Sequence, residues 1–341
     1  MTKRSLYILL ITIVFAATAK AQQLPHYTQY LMNPFVINPA VAGIENYWDI
    51  KASHRHQWAG LQDAPVTSYL TAHGPLGNSN NLVTPTGSDV GYNPRGRAYW
   101  TDYERPSSHP GMGLMVMNDV TGPIRRFAFS AAYAHHIGLA PKTSISVGIG
   151  AGVQNYSLDA DKLNFASASD PAVGGIGLME RWKPDVSAGI WLYSADFFAG
   201  VSANNIIPQE LTFDKGGVAT ATERGRLAPH IFITAGYRLW INDDISVLPS
   251  LMLKYISPVP LGIDLNARLQ YRDRLWIGAN YRNGDGFAGM LGIYITPMLN
   301  VGYAYDYTTS SLNFVSKGSH EITLGLLLRN RNGDYAPRNS W

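Results

Sequence analysis

From Trp48 almost to the C-terminus the chain alternates apolar with polar or small residues at a period of two, the repeat of a strand whose two faces differ. Residues 261–271 carry it most clearly. Leu261, Ile263, Leu265, Ala267, Leu269 and Tyr271 share one face, and Gly262, Asp264, Asn266, Arg268 and Gln270 share the other. A soluble sandwich can expose one strand of this kind, but a purely apolar face opposite a charged one is what a wall between lipid and a wet lumen requires. In residues 145–153 the second face holds Ser146, Gly148, Gly150 and Gly152, which leaves inward room for a plug or a channel. About fourteen such segments, each near the ~10 residues of a transmembrane strand, are predicted. They lie at 48–55, 66–73, 111–118, 127–137, 143–155, 184–194, 196–204, 229–240, 245–256, 261–271, 274–282, 286–296, 299–307 and 319–329. The expected fold is therefore all-β, a transmembrane antiparallel barrel with a plug-like N-terminal segment.

The connections set the orientation, because bacterial barrels keep periplasmic turns short and put length into outward loops. With both termini periplasmic, residues 138–142, Ala195, 241–244, 272–273 and Pro297-Met298 are the short inner turns, and 156–183 and 205–228 are outward loops. Residues 74–110 break the rule. They hold either a missed strand pair or a folded periplasmic or plugging element with a basic-aromatic cluster of Arg95, Arg97, Tyr99, Trp100, Tyr103 and Arg105. Such a cluster is either ordinary loop anchoring or a contact for periplasmic machinery.

Four regions follow. Residues 1–21 read as a signal peptide, with Lys3 and Arg4 before an apolar stretch and Ala19-Lys20-Ala21 at the cleavage point. The apolar stretch falls short of the roughly 20 residues of a helical anchor. Residues 22–47 carry Pro25, Pro34 and Pro39 and no lasting period, so they cannot form a wall strand. They are expected to tuck into the periplasmic mouth of the lumen, the other reading being a disordered leader. The barrel occupies 48–329, and 330–341 is a polar tail ending in Trp341.

Composition agrees with a barrel: 33 Gly, 20 Tyr and 8 Trp, with charged residues at 15% against about 25% in globular proteins. Zero cysteines exclude disulfides and thiolate metal sites. A net charge of +3 is too mild for a nucleic-acid partner, and Lys and Arg are not concentrated on one segment.

No catalytic constellation emerges. His320-Glu321 opens like a zinc-protease motif, but Leu324 stands where the second His belongs. Gly148, Gly150 and Gly152 lack the Lys-Ser or Lys-Thr of a phosphate loop. His135 and His136 point to opposite faces of a strand; His54 and His56 share a face, yet no third ligand accompanies them. Nothing in the spacing of Ser, His and Asp selects a triad. No catalytic, cofactor or metal residue is assigned, and the chain is read as a non-enzyme.

Residues 30–43, Tyr-Leu-Met-Asn-Pro-Phe-Val-Ile-Asn-Pro-Ala-Val-Ala-Gly, contain Asn38-Pro39-Ala40 and Gly43. They are followed by Arg55-x-Gln57-Trp58 and Ala64-Pro65-Val66-Thr67. Later come Asn118-Asp119, Gly122-Pro123, Ala132-Tyr133-Ala134, Pro249-Ser250, Lys254-Tyr255, Tyr305-Asp306 and Ser319-His320-Glu321. In this order they resemble the PorP/SprF family of the type IX secretion system of Bacteroidetes, over nearly all of residues 22–341. Val41 departs from the pattern, standing where an aromatic is frequent.

The resemblance implies an outer-membrane barrel that serves secretion, surface retention of adhesins or gliding motility. Its implied partners are a secreted adhesin held through its C-terminal signal domain, periplasmic type IX components and outer-membrane lipid, with no cofactor. Beside it stands a reading from the residues themselves. Arg55 alternates onto one face with Asp49, Lys51 and Ser53, so it should face the lumen and pair with carboxylates such as Asp264 or with the N-terminal segment. Asn38-Pro39-Ala40 and Arg55-x-Gln57-Trp58 are then expected to lock the plug to the wall. The outward loops 156–183 and 205–228 are the expected docking surface. A passive solute channel is the alternative, and a rim hydrolase a third.

Overall fold

The computed structural model describes residues 27–77, 105–159, 162, 178–211, 225–257, 259–272 and 274–330. The wall strands are β1 (Trp48–His56), β2 (Val66–Pro75), β3 (His109–Thr121), β4 (Ile124–Ala140), β5 (Thr143–Asp159), β6 (Leu178–Ser194) and β7 (Phe197–Asn204). They continue in β8 (His230–Tyr237, resuming at Leu239–Trp240), β9 (Ile245–Ile256), β10 (Val259–Tyr271), β11 (Leu275–Arg282), β12 (Gly286–Thr296), β13 (Leu299–Thr308) and β14 (Ser319–Leu328). The two pieces of β8 keep one register against β9, Gly236 opposite Ser250 and Leu239 opposite Val247, so they are one strand interrupted at Arg238. Every strand pairs antiparallel with its sequence neighbours, and β1 pairs with β14 from Trp48–Leu328 to His56–His320, closing a ring of fourteen.

The fourteen strands stand where the period-two pattern puts them, but β3, β4, β5 and β6 run several residues further than predicted. Their outward-facing rows give the reason. Phe129, Val153 and Pro184 lie side by side, then Phe127, Asn155 and Trp182, then Arg125, Ser157 and Glu180. Lipid ends near the aromatic row. Beyond it the backbone ladder continues while the need for apolar alternation stops. The chain enters the wall at Trp48 and leaves at Leu328 on the same rim, and on that rim the connections at 141–142, 195–196, 241–244 and 297–298 are tight. This is the periplasmic rim by the turn-length rule.

Alternation along β10 is strict: Leu265 is 49% exposed toward the lipid and Asn266 5% exposed toward the lumen. Leu265→Arg is therefore expected to destabilise the folded barrel by about 2–4 kcal/mol, the cost of a cation near the bilayer midplane. The same change at Asn283, in the exposed β11–β12 turn, should cost almost nothing. Urea titration of the barrel folded into vesicles measures both.

The lumen differs from the expected wet one. Residues 27–47 lie inside the ring, nearly all of them buried, and Tyr30, Leu31, Phe35, Ile37, Ala40, Val41, Ala42 and Ile44 form a core with inward-facing Trp191, Tyr193, Phe198, Phe232, Leu248 and Met252. Burial of each large apolar side chain is worth about 1.5–3 kcal/mol, which compensates for a segment that has little regular structure. The segment is not confined to the periplasmic mouth either. From Tyr47 at that rim it reaches Thr28, which bonds to Arg55 near the opposite end of β1. Periodicity carries no information about such a segment, and only its prolines show in its shape, starting the short 3-10 turns Pro34–Val36 and Pro39–Val41.

The signal-peptide region 1–21, the cluster from Arg95 to Tyr103, most of the outward loops beyond β5 and β7, and the tail from residue 331 lie outside the described residues. Among the described residues no helix is long and apolar enough to cross a membrane.

Candidate functional site

The site is the contact between the N-terminal segment and the lumen wall, and three clamps make it. The first is electrostatic. Arg55 lies directly opposite Glu321 across the β1–β14 seam. Its Nη1 donates to Glu321 Oε2 (3.2 Å) and to Thr28 Oγ1 (2.8 Å), and its Nη2 pairs with Asp306. Thr28 Oγ1 donates to Asp306 (2.8 Å), and the backbone amides of Thr28 and Gln29 donate to the two Glu321 oxygens (3.0 and 3.3 Å). One guanidinium and two carboxylates, all nearly buried, are thus bound to each other and to the segment. Asp264 is not the partner of Arg55. It bonds Arg282, its register neighbour on β11 (3.3 Å), because β10 and β11 lie several strands from β1 around the ring. Arg268 is buried in the lumen with its guanidinium 5.6 Å from the Trp276 ring.

The second clamp holds Asn38-Pro39-Ala40 against β5, β6 and β7. Asn38 Oδ1 accepts from Ala40 N (2.9 Å), while its Nδ2 donates to the Ile190 and Val201 carbonyls (3.1 and 3.4 Å). Ser146 Oγ donates to Ala40 O (2.7 Å) and Ser202 Oγ to Ile37 O (2.6 Å). The close approach needs a wall without side chains, since a Cβ on Gly148 would lie 2.5 Å from Ala40 Cα.

The third clamp sits near the periplasmic rim. Gly43 turns with φ +77°, in the left-handed region that favours glycine. His136 Nε2 donates to Ala42 O (2.9 Å) and His109 Nε2 to Gly43 O (3.0 Å), the two rings stacked 4.5 Å apart. Further up the segment Asn33 Nδ2 donates to Thr71 Oγ1 (2.8 Å) and the Tyr30 hydroxyl meets Ser250 Oγ (3.3 Å). Burial raises the Tyr27 and Tyr30 phenols above their ordinary range, so both remain neutral.

The remaining sequence-selected residues lie elsewhere. Gln57 and Trp58 are at the outward rim, where Gln57 N donates to Pro65 O (2.9 Å) and Trp58 N to Ser319 Oγ (3.0 Å). Arg55 therefore holds the segment while its motif partners shape the rim. Tyr305 and His320 lie on the membrane-facing side, their rings 5.2 Å apart. His54 is there too, bonded to Ser68 (2.8 Å). Among the described residues no group of three or more His, Asp or Glu is placed to hold a metal. Thr28, Gln29, His109 and His73, whose Nδ1 accepts from Gly43 N (3.4 Å), were not selected from the sequence. His73 and His109 share the inward parity of their strands, a usable signal, but Thr28 sits in a stretch with none.

Gln57 and Trp58 also line a cavity of about 440 Å³ at the outward mouth, together with Lys254, Asp264, Arg282, Asp285 and the apolar Ile256, Val259 and Leu261. At mid-height, between the segment and the wall, lies a cavity of about 50 Å³.

Residues 19–326 match the family described as Type IX secretion system membrane protein PorP/SprF. The chain belongs to the PorP/SprF family. It is thereby a membrane protein of the type IX secretion system, located in the outer membrane. No curated protein matches this PorP/SprF chain. Among solved structures it is similar to the toluene transporter TbuX of Ralstonia pickettii (8% identity, 88% of this chain and 93% of that one, TM-score 0.47). It is also similar to the toluene transporter TodX of Pseudomonas putida (9%, 92% and 95%, 0.46) and to a FadL homologue of Pseudomonas aeruginosa (11%, 89% and 94%, 0.42). None of these likenesses bears on what this PorP/SprF barrel carries.

Proposed function

We propose that this barrel helps export a secreted adhesin and holds it at the cell surface, engaging the adhesin's C-terminal type IX signal domain at the outward face without chemistry of its own. The observation that supports docking over conduction is the occupied lumen. A solute channel needs a continuous water-filled path, whereas here a buried segment tied to β1, β5, β6 and β14 occupies the ring, and the cavity beside it at mid-height holds only a few waters. The three clamps support reading the segment as a plug, and the outward loops beyond β5 and β7 extend the proposed docking surface.

The test pairs two measurements. Cells lacking the barrel should shed the adhesin into the medium or retain it inside, and the purified barrel should be electrically silent in planar bilayers. Unchanged adhesin retention, together with steady conductance of the purified barrel, would reject docking in favour of solute transport.

A further inference from the structure

The outward vestibule has a chemistry that the clamps below it do not use. Arg282 is paired with two carboxylates, its Nε on Asp264 (3.3 Å) and its Nη1 on Asp285 (2.8 Å). Arg55 is likewise held by Asp306 and Glu321. Lys254 lines the same cavity and makes no hydrogen bond or ion pair with any described residue. Its register partner on β10 is Gly262, which has no side chain to cover it. An ammonium carries three donors and no acceptor, and the half-buried Lys254 points none of them at a bonded partner, although Asp264 and Asp285 border the same cavity. What complements it is an oxygen anion.

The surroundings narrow that anion. Ile256 and Val259, paired on the same inward face as Lys254, place apolar surface beside it, and Trp58 lines the same cavity. Asp264 and Asp285 border it and would repel a polyanion such as a phosphate, whereas a single carboxylate on the Lys254 side fits. The cavity leads nowhere, because Thr28 and the Arg55 cluster occupy the lumen beneath it. A blind cavity admits the end of a chain more readily than its middle. We propose that the vestibule captures the C-terminal residue of the secreted partner, its free α-carboxylate on Lys254 and its apolar side chain against Ile256 and Val259. This rests on the docking reading above and adds a specific seat to it.

The probe is a short peptide, acetyl-Gly-Val-Leu, as the free acid and as the C-terminal amide, titrated against the purified full-length barrel by calorimetry. The acid should bind at least tenfold tighter than the amide. Lys254→Met should erase that preference and Lys254→Arg should keep it, with both variants retaining the wild-type heat-shift on semi-native gels. Equal binding of acid and amide to the wild type, or a preference that survives Lys254→Met in a folded barrel, overturns the proposal. If the acid preference is absent while barrel-deleted cells still lose their adhesin, the vestibule assignment alone has failed. If barrel-deleted cells keep their adhesin, docking itself has failed, and the vestibule assignment with it.

Discussion

Replacing Arg55 with Ala should lower the temperature at which the barrel loses its compact, fast-migrating form on semi-native gels by on the order of 10 °C. The reasoning starts from what is left behind. Arg55 is the cation bonded to both Asp306 and Glu321, and both carboxylates are nearly buried. Removing one partner of a buried pair strands an uncompensated charge, which costs about 3–5 kcal/mol, and each kcal/mol moves the midpoint of a large domain by about 2–4 °C. The change also removes one of the three bonds that tie Thr28 to the wall, the one its hydroxyl accepts from Arg55 Nη1. Most of the loss should come from the stranded carboxylates rather than from the missing guanidinium. Adding Asp306→Asn and Glu321→Gln to Arg55→Met should then recover much of the stability. A triple variant as weak as Arg55→Ala alone would contradict this account, and so would an Arg55→Ala barrel as heat-stable as the wild type.

Gly148→Leu is expected to turn an electrically silent barrel into a leaky one. The Cβ at this position would stand 2.5 Å from Ala40 Cα and Ala40 N and 2.6 Å from the Pro39 carbonyl carbon. All of these are backbone atoms that cannot swing aside as a long side chain can, so a bulky residue excludes Asn38-Pro39-Ala40 from its seat. The wall itself should survive, since β5 keeps its ladders with β4 and β6. Gly289→Leu is the control, because a Cβ there meets nothing within 4 Å. Planar-bilayer recording should give frequent openings for Gly148→Leu and silence for both Gly289→Leu and the wild type. Silence from a folded Gly148→Leu barrel would mean that the segment does not depend on this contact.

The wall of this PorP/SprF barrel was legible because each strand solves the same local problem, lipid on one face and lumen on the other. That is why residues 261–271 could be assigned face by face. The inward direction of Arg55 followed from the same parity. Its partners did not, since Asp264, Asp306 and Glu321 all face inward by parity and only the position of each strand around the ring separates them. Parity alone also cannot reveal the apolar lumen core. Trp191, Tyr193 and Phe198 are large apolar residues on inward positions, where a wet lumen would want polar ones, and their reason is the segment they cover. Thr28 is the hardest case. It lies in a stretch whose shape is imposed by the cavity around it, so its role depends on contacts to residues more than 250 positions away.

The seam between β1 and β14 joins the two ends of the wall, and Arg55, Glu321 and Thr28 straddle it. Contacts of such sequence separation form late, after the cost of bringing distant chain ends together has been met. The last pairing of the ring and the locking of the amino-terminal segment therefore use the same residues and belong to one event. A barrel whose segment is missing or misplaced would reach the end of assembly with its final joint deprived of partners, so completion of the ring doubles as an inspection that the interior has been filled.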